Sequence, residues 1–445
     1  MSFDKLTLNF FLYPGGHHEA GWRYSQAERE RLFDIRFYQD LARTAEAAKF
    51  DAIFFADGPA LAENIAHAAR FRFEPITWFA ALAAVTERIG FVATASTTYT
   101  QPYNLARQFA ALDQLSHGRA GWNIVTTSHA ESAQNFGLPE HPPHATRYEV
   151  AREYVEVVTK LWDSWEDDAV VADPVSGVFA DASKIHAIEH AGRHFRVKGP
   201  LNTPRSPQGR PVYVQAGSSE DGRDFAARFA EAIFTAHQTV ESARAFYADV
   251  KARARALGRP GNAIRILPGI SPFLGGTEAE AQALEREFND LIQPASSLAQ
   301  LTRMIGVDLS GWDLDQPFPR HALPDGGEFG PNSRARLVRD IVERERPTIR
   351  GLIERLAGAR GHFVTAGTPE QIADLIETWF RSGAADGFNV MPPWLPGGLT
   401  DFTQQVVPIL QRRGLFRTDY EGATLRDHYG LPRPESGYAA RRVSA

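Results

Sequence analysis

The chain has 445 residues, of which 43% are hydrophobic, and a formal net charge of −6. This composition can bury a large core, which excludes a disordered protein, and the lack of a basic stripe argues against a nucleic-acid-binding surface. Since the sequence contains no cysteine, disulfide frameworks, cysteine zinc sites and cysteine nucleophiles are excluded. The sequence has no signal-peptide pattern and no apolar run of ~18 residues that could span a membrane, so we expect a cytoplasmic protein.

Eight short apolar runs alternate with helical patterns along the chain. They are residues 6–13, 51–57, 89–97, 120–127, 211–219, 231–237, 264–274 and 386–394. Apolar strands separated by amphipathic helices predict a parallel sheet that is covered on its faces. About eight such units favour a closed (β/α)8 TIM barrel over an open sheet, and we predict an α/β protein of this class.

The chain is longer than a minimal barrel requires. We interpret residues from about 166 to 210 and from about 304 to 366 as insertions near the mouth of a single domain spanning 1–445. A C-terminal tail follows from about 399 to 445. The first strand is not followed by a GxGxxG fingerprint, which argues against a Rossmann dinucleotide site.

Polar residues close four of the predicted strands. These are Asp57, Thr94 with Ser96, Asn123 and Ser218, in chain order. Chemistry in parallel barrels gathers at the carboxyl ends of the strands, so these side chains are expected to meet at one mouth. Any one of them could simply cap the following helix, but four converging ends favour a pocket.

Two segments could hold a phosphate group. The turn of Gly217, Ser218 and Ser219 opens a helix and offers free N–H groups, although the acidic residues that follow fit a plain N-cap equally well. His144 and Tyr148 lie four residues apart on one face of a helix that begins after two prolines. They suit a phosphate or a ribityl chain, or they form a surface helix end.

The blocks along the chain resemble the bacterial-luciferase-like flavin monooxygenases, in the branch of the nitrilotriacetate, dibenzothiophene-sulfone and long-chain alkane monooxygenases. The resemblance runs from about residue 5 to about residue 434. It is carried by segments such as WNIVTTSHAESAQNFG, HATRYEVAREYVEVVTKLWDSW and PVYVQAGSSEDGRDFAARFAEAIFTA. It favours the phosphate interpretation of the Gly-Ser-Ser turn.

The resemblance implies a set of functional residues around a bound FMN. The cofactor-binding residues would be Asp57, Thr94, Asn123, His144, Tyr148, Ser218 and Ser219. The catalytic candidates would be Asn123, His17 in the loop after the first strand, and His321 in the second insertion. No metal is implied, because the paired His17 and His18 lack a ligand pattern such as HExxH.

The implied function is that of the oxygenase component of a two-component FMNH2-dependent monooxygenase. It would take reduced flavin from a separate NAD(P)H:flavin reductase and insert one atom of O2 into a small organic substrate through a flavin C4a-(hydro)peroxide, with C–N or C–S cleavage for some substrates. The resemblance further implies a homodimer or homotetramer. Arg23 and Arg72 could favour an anionic substrate, but solvated surface charge is the commoner explanation.

Three other functions stay open from the sequence alone. A deazaflavin-dependent oxidoreductase could use the same barrel, and a non-catalytic flavin-binding protein could share its cofactor residues. A metal-dependent barrel hydrolase is disfavoured, because the ligand pattern that it needs is missing.

Overall fold

Eight parallel strands close into a barrel in the computed structural model, which describes residues 4–323 and 333–438. The barrel strands are β1 Thr7–Phe11, β2 Ala52–Phe55, β3 Gly90–Ser96, β4 Ala120–Val125, β5 Val212–Gln215, β6 Ala232–Thr235, β7 Arg265–Leu274 and β8 Gly387–Val390. Each strand pairs with its neighbours in chain order, and β8 pairs with β1 to complete the ring. The predicted (β/α)8 barrel is confirmed, and each of the eight apolar runs contains one strand.

Helices surround the barrel. They are α1 Ile35–Ala47, α2 Pro75–Ala83, α3 Pro102–Leu115, α4 Ser132–Asn135, α5 His144–Trp162, α6 Glu220–Phe229, α7 Val240–Ala256, α8 Glu278–Asp290, α9 Pro294–Ile305, α10 Ser333–Glu345, α11 Ile349–Ala359, α12 Pro369–Arg381, α13 Gly397–Asp401, α14 Val407–Arg412 and α15 Leu425–His428. Shorter helical turns are Gly21–Arg23, Arg29–Arg31, Glu63–Ala66, Ala182–Lys184 and Arg320–Ala322, and Phe402–Val406 is a π-helical segment. Within the described ranges, no helix has both the length and the apolar character needed to cross a membrane.

The two predicted insertions contain structure of their own. Antiparallel hairpins, Val170–Asp173 with Val178–Ala180 and His190–Ala191 with Arg196–Val197, lie in the first. The second holds α10 and α11 and then a ninth strand, Phe363–Gly367, which pairs with the last half of β7. Residues 324–332 of this insertion lie outside the described part. That both stretches are insertions into one domain stays a prediction.

The C-terminal tail fills the bottom of the barrel. The side chain of Leu425, at the start of α15, enters the space left by two glycines of the barrel wall. A Cβ atom on Gly90 would lie 2.5 Å from Leu425 Cδ1, and one on Gly121 would lie 3.1 Å from Leu425 Cδ2. Strands β3 and β4 therefore need glycine at these positions, and the tail completes the core.

We predict that Leu425→Ala lowers the free energy of unfolding by about 2–5 kcal/mol, because it opens a cavity in the barrel interior. Leu115→Ala is the control, since Leu115 is 65% exposed on α3, and it should change the value by less than about 0.5 kcal/mol. Urea denaturation measures both variants. Equal stabilities would contradict the role of the tail in the core.

Candidate active site

Thr94 and Asn123 form a polar pair at the barrel mouth, because strand pairing places them side by side on β3 and β4. The Thr94 hydroxyl donates to the Phe55 carbonyl oxygen at 2.7 Å and accepts a hydrogen bond from Asn123 Nδ2 at 2.8 Å. This arrangement fixes the orientation of the amide. Asn123 Oδ1 is buried and has no hydrogen-bond partner within residues 4–323 and 333–438. An unpaired buried acceptor is costly, so a ligand N–H would be stabilised at this point.

Asp57 follows β2 at the same mouth and is half-buried. Burial raises the pKa of its carboxyl group, although the backbone N–H of Gly58 and the Arg72 guanidinium act in the opposite direction. This carboxyl group therefore retains a proton more readily than an exposed aspartate does. It lies where the sequence predicted a cofactor contact.

The turn after β5 forms a compact cradle. Ser219 is the N-cap of α6, with its hydroxyl accepting from the backbone N–H of Gly222 at 3.2 Å. A Cβ atom on Gly217 would lie 2.9 Å from the Tyr148 hydroxyl, so the glycine permits the close approach of the tyrosine. Ser218 lies between them and is partly exposed. Backbone N–H groups at the start of α6 and two kinds of hydroxyl therefore meet at one point, which suits a phosphate.

The acidic residues at the start of α6 have side-chain partners of their own. Asp221 Oδ2 lies 3.1 Å from His144 Nδ1, and the His144 ring lies 4.9 Å from that of Tyr148. Glu220 forms ion pairs with Arg223 at 2.7 Å and Arg253 at 2.6 Å. The two carboxylates, whose charge would repel a bound anion, thus have local partners.

His17 and His18 have different surroundings. His17 is fully buried, with Nε2 2.8 Å from the Phe11 carbonyl oxygen and Nδ1 3.0 Å from Arg360 Nη2. Since a guanidinium can only donate, Nδ1 accepts and Nε2 carries the proton. Burial and the charge of Arg360 hold the pKa of His17 well below its ordinary value, so the ring is neutral. His18 instead contacts Asn289 on α8 at 3.2 Å, and burial lowers its pKa to about 4.

An aromatic cluster lines the barrel interior below the mouth. Phe11, Phe54 and Phe234 meet edge to face, with ring centroids 4.8–5.2 Å apart. His362 stacks on Phe234 with centroids 4.6 Å apart and planes 6° apart. Such a surface excludes water and suits a flat ligand. Sequence reasoning missed this cluster, because its apolar members look like ordinary core.

Tyr13 and three arginines form a second group, of which sequence reasoning singled out only Arg72. The Arg360 guanidinium lies 4.4 Å from the Tyr13 ring centroid, and that of Arg70 lies 5.3 Å away. Burial by itself would raise the pKa of the phenol, but the charges of Arg70, Arg360 and Arg72 outweigh it and lower the pKa to about 7. The group is therefore strongly electropositive.

Other candidates lie apart or serve the scaffold. His321 is exposed in its insertion, 6.3 Å from the Trp312 ring, and contacts none of the other candidates in the described part of the chain. Arg147 donates to the carbonyl oxygens of Thr126 and Thr127 and so holds the end of β4. Arg23 donates to a backbone carbonyl group, that of Leu291.

Comparison with known proteins is consistent with this geometry. The model of the family described as luciferase-like monooxygenase matches residues 14–386. The chain is 47% identical over 436 residues to N-acetyl-S-(2-succino)cysteine monooxygenase of Bacillus subtilis (strain 168), covering 98% of both chains. It is 46% identical over 448 residues to nitrilotriacetate monooxygenase component A of Aminobacter aminovorans, again with 98% of both covered.

The likeness extends to solved structures. Riboflavin lyase, solved with modified FMN and riboflavin, superposes with a TM-score of 0.84 at 32% identity, and 97% of each chain is covered. Dibenzothiophene-sulfone and long-chain alkane monooxygenases also match over at least 97% of this chain, so the branch predicted from the sequence is confirmed. The chain therefore belongs to the luciferase-like monooxygenase family.

Proposed function

We propose that the chain is the oxygenase component of a two-component monooxygenase, which binds reduced FMN and uses O2 to oxygenate a small organic substrate. The single observation that carries the proposal is the buried, unpaired Oδ1 of Asn123 at the mouth of the barrel. A protein that did not bind a ligand here would leave this acceptor without compensation.

The side chains at the mouth fit FMN at both of its ends. At the ring end, the Asn123 oxygen could accept from a flavin N–H, with Thr94 and Asp57 beside it. At the phosphate end, the cradle of Ser218, Ser219, Tyr148 and His144 offers hydroxyl, imidazole and backbone donors. The amide Oε1 of Gln215 is a further buried acceptor without a partner among the described residues. Asn123 is on β4 and the cradle follows β5, and these two strands are neighbours in the barrel.

When bound, reduced FMN supplies the electrons with which one atom of O2 enters the substrate and the other leaves as water. The protein's residues orient the cofactor and the substrate, exclude water from the site and hold protons. The phenylalanine cluster keeps the interior dry, and the Asn123 Nδ2 is held by Thr94 so that its oxygen is presented at the mouth. His17 acts as a positioning residue, because both of its ring nitrogens are bonded to the protein and one holds Arg360.

The partner would be a separate NAD(P)H:flavin reductase. A relative named component A supports a system of more than one protein, and the sequence has no GxGxxG fingerprint after its first strand. A cytoplasmic location, where NAD(P)H would be available to such a reductase, stays a prediction, and so does a homodimer or homotetramer. The alternatives of a deazaflavin enzyme and of a non-catalytic flavin-binding protein gain no support from a specific contact.

We predict that Ser218→Ala and Tyr148→Phe each weaken FMN binding by about 1–3 kcal/mol, since each removes a hydroxyl beside the phosphate. Fluorescence titration with FMN measures the affinity. Ser176→Ala, in the exposed hairpin of the first insertion, is the control and should bind as the unmodified protein does. Unchanged affinity in both test variants would refute the assignment of the phosphate cradle.

Asn123→Ala and His17→Ala should lower product formation at least ~10-fold, the modest end of losses from a single donor or acceptor. Reduced FMN should still bind, and more O2 should be released as hydrogen peroxide, because oxygen activation is no longer directed to the substrate. Product and peroxide are measured together. His18→Gln is the neighbouring control, since His18 faces α8. If both test variants couple O2 consumption to product formation as the unmodified protein does, the proposed roles are wrong.

We expect no turnover with NADH or NADPH alone, because the electrons must arrive on flavin. Adding a flavin reductase, or chemically reduced FMN, should start O2 consumption and product formation. An oxygen electrode and product analysis follow the reaction. Sustained NADH oxidation by the purified chain without a reductase would contradict the two-component assignment.

A further inference from the structure

The electropositive group of Tyr13, Arg70, Arg72 and Arg360 lies outside the set of residues that we assign to the flavin. Arg70 is 7% exposed and Tyr13 is 2% exposed, so both side chains are nearly removed from solvent. The buried Tyr13 hydroxyl faces the Arg70 guanidinium. A buried guanidinium is unfavourable unless a negative charge accompanies it, and the Tyr13 phenol supplies one only when it is ionised, so the group favours an anion.

Within the described side chains, neither Arg70 nor Arg72 lies within ion-pair distance of a carboxylate, whereas Glu220, Asp163 and Glu231 elsewhere are all paired with arginines. Asp57 interacts with Arg72 electrostatically, but does not reach it. The positive charge is therefore left for a ligand.

The position of this group separates it from the flavin phosphate. Tyr13 follows β1, and the phosphate cradle follows β5. In a closed ring of eight strands in chain order, β1 and β5 are four strands apart in both directions and lie on opposite sides of the mouth. Tyr13 therefore lies on the side of the mouth away from the phosphate cradle, and Arg70 and Arg72 follow β2, the neighbouring strand.

Building on the proposed function, we propose that Arg70 and Arg72, together with the neighbouring Tyr13 hydroxyl, form a subsite that binds a carboxylate group of an anionic substrate. Guanidinium groups bind carboxylates through paired, charge-assisted hydrogen bonds, which gives both affinity and orientation. Arg360 adds positive charge and is held in place by His17. The substrate class is thus an organic acid, and the carboxylate aligns its oxidisable atom over the mouth.

The phenol of Tyr13 makes this binding dependent on pH. The charged groups that face it are Arg70 and Arg72 after β2 and Arg360 at the end of α11, and His17 beside it is neutral. With the subsite empty, these cations favour the phenolate, since the pKa of Tyr13 is about 7. A bound carboxylate offsets them and raises that pKa, so the phenol takes up a proton. Carboxylate affinity should therefore fall as the pH rises above about 7.

Isothermal titration calorimetry on the full chain tests the subsite with matched probes: thiodiglycolate, iminodiacetate and nitrilotriacetate, each against its methyl ester. The carboxylates should bind at least ~10-fold more tightly than the esters, which keep the shape but lose the charge. Arg70→Met should raise the Kd of the carboxylates at least ~10-fold and leave the esters unchanged, while Arg70→Lys retains part of the affinity. Tyr13→Phe should remove the dependence on pH.

Controls separate this proposal from the flavin assignment. Arg107→Met, on the exposed face of α3, should bind every probe as the unmodified chain does. FMN affinity should stay unchanged in Arg70→Met and Arg72→Met, and the second variant repeats the test if the first does not fold. Esters that bind as tightly as the acids, no carboxylate binding at roughly 10 mM, or loss of FMN instead of acid binding would each overturn the proposal.

Discussion

Closure of the parallel sheet is the constraint on which the site depends. Because β8 hydrogen-bonds to β1, all eight strands must end at the same mouth and their order around it is fixed. The pairing of β3 with β4 alone sets Thr94 beside Asn123. The same ring sets the loops after β1 and β5 opposite each other. An open sheet with these residues would not surround a ligand.

The barrel mouth has three regions with different chemical character. In the cradle after β5, the acidic residues contact His144, Arg223 and Arg253, which leaves hydroxyl and backbone donors for the phosphate of the proposed cofactor. The loops after β1 and β2 keep an excess of positive charge around Tyr13. Between them lie aromatic rings and the Asn123 amide oxygen, which has no hydrogen-bond partner in the described part of the chain. An anionic cofactor end and an anionic substrate can therefore occupy one mouth without sharing the same cations.

Most of the fold could be predicted from the sequence, because local patterns decide strands and helices. The runs that contain β1 to β8 are apolar and short, and the polar residues that end them mark the mouth. The ninth strand, Phe363–Gly367, could not be predicted, since it pairs only with the far end of β7 and has no pattern of its own. The role of Leu425 depends on the space left by glycines more than 300 positions earlier.

The candidate site could be predicted from the sequence only where a motif stands at the end of a strand or the start of a helix. Asn123, Tyr148 and Ser219 belong to such motifs and lie at the mouth or its cradle. Arg360 does not: it ends α11 in a left-handed conformation and reaches His17, 343 residues away in sequence. Arg70 lies in a loop with no recognisable pattern, and its importance follows only from its burial. His321 lies beside Trp312 in the insertion, and its catalytic role stays a prediction.

Oxygen-isotope labelling tests the central claim most directly. Reduced FMN, a carboxylate substrate and heavy-isotope O2 are combined with the full chain, and the product is analysed by mass spectrometry. A monooxygenase places one heavy oxygen atom from O2 in each product molecule and sends the other to water. A product whose oxygen comes from water, or one that is formed without any incorporation of oxygen, would contradict the account.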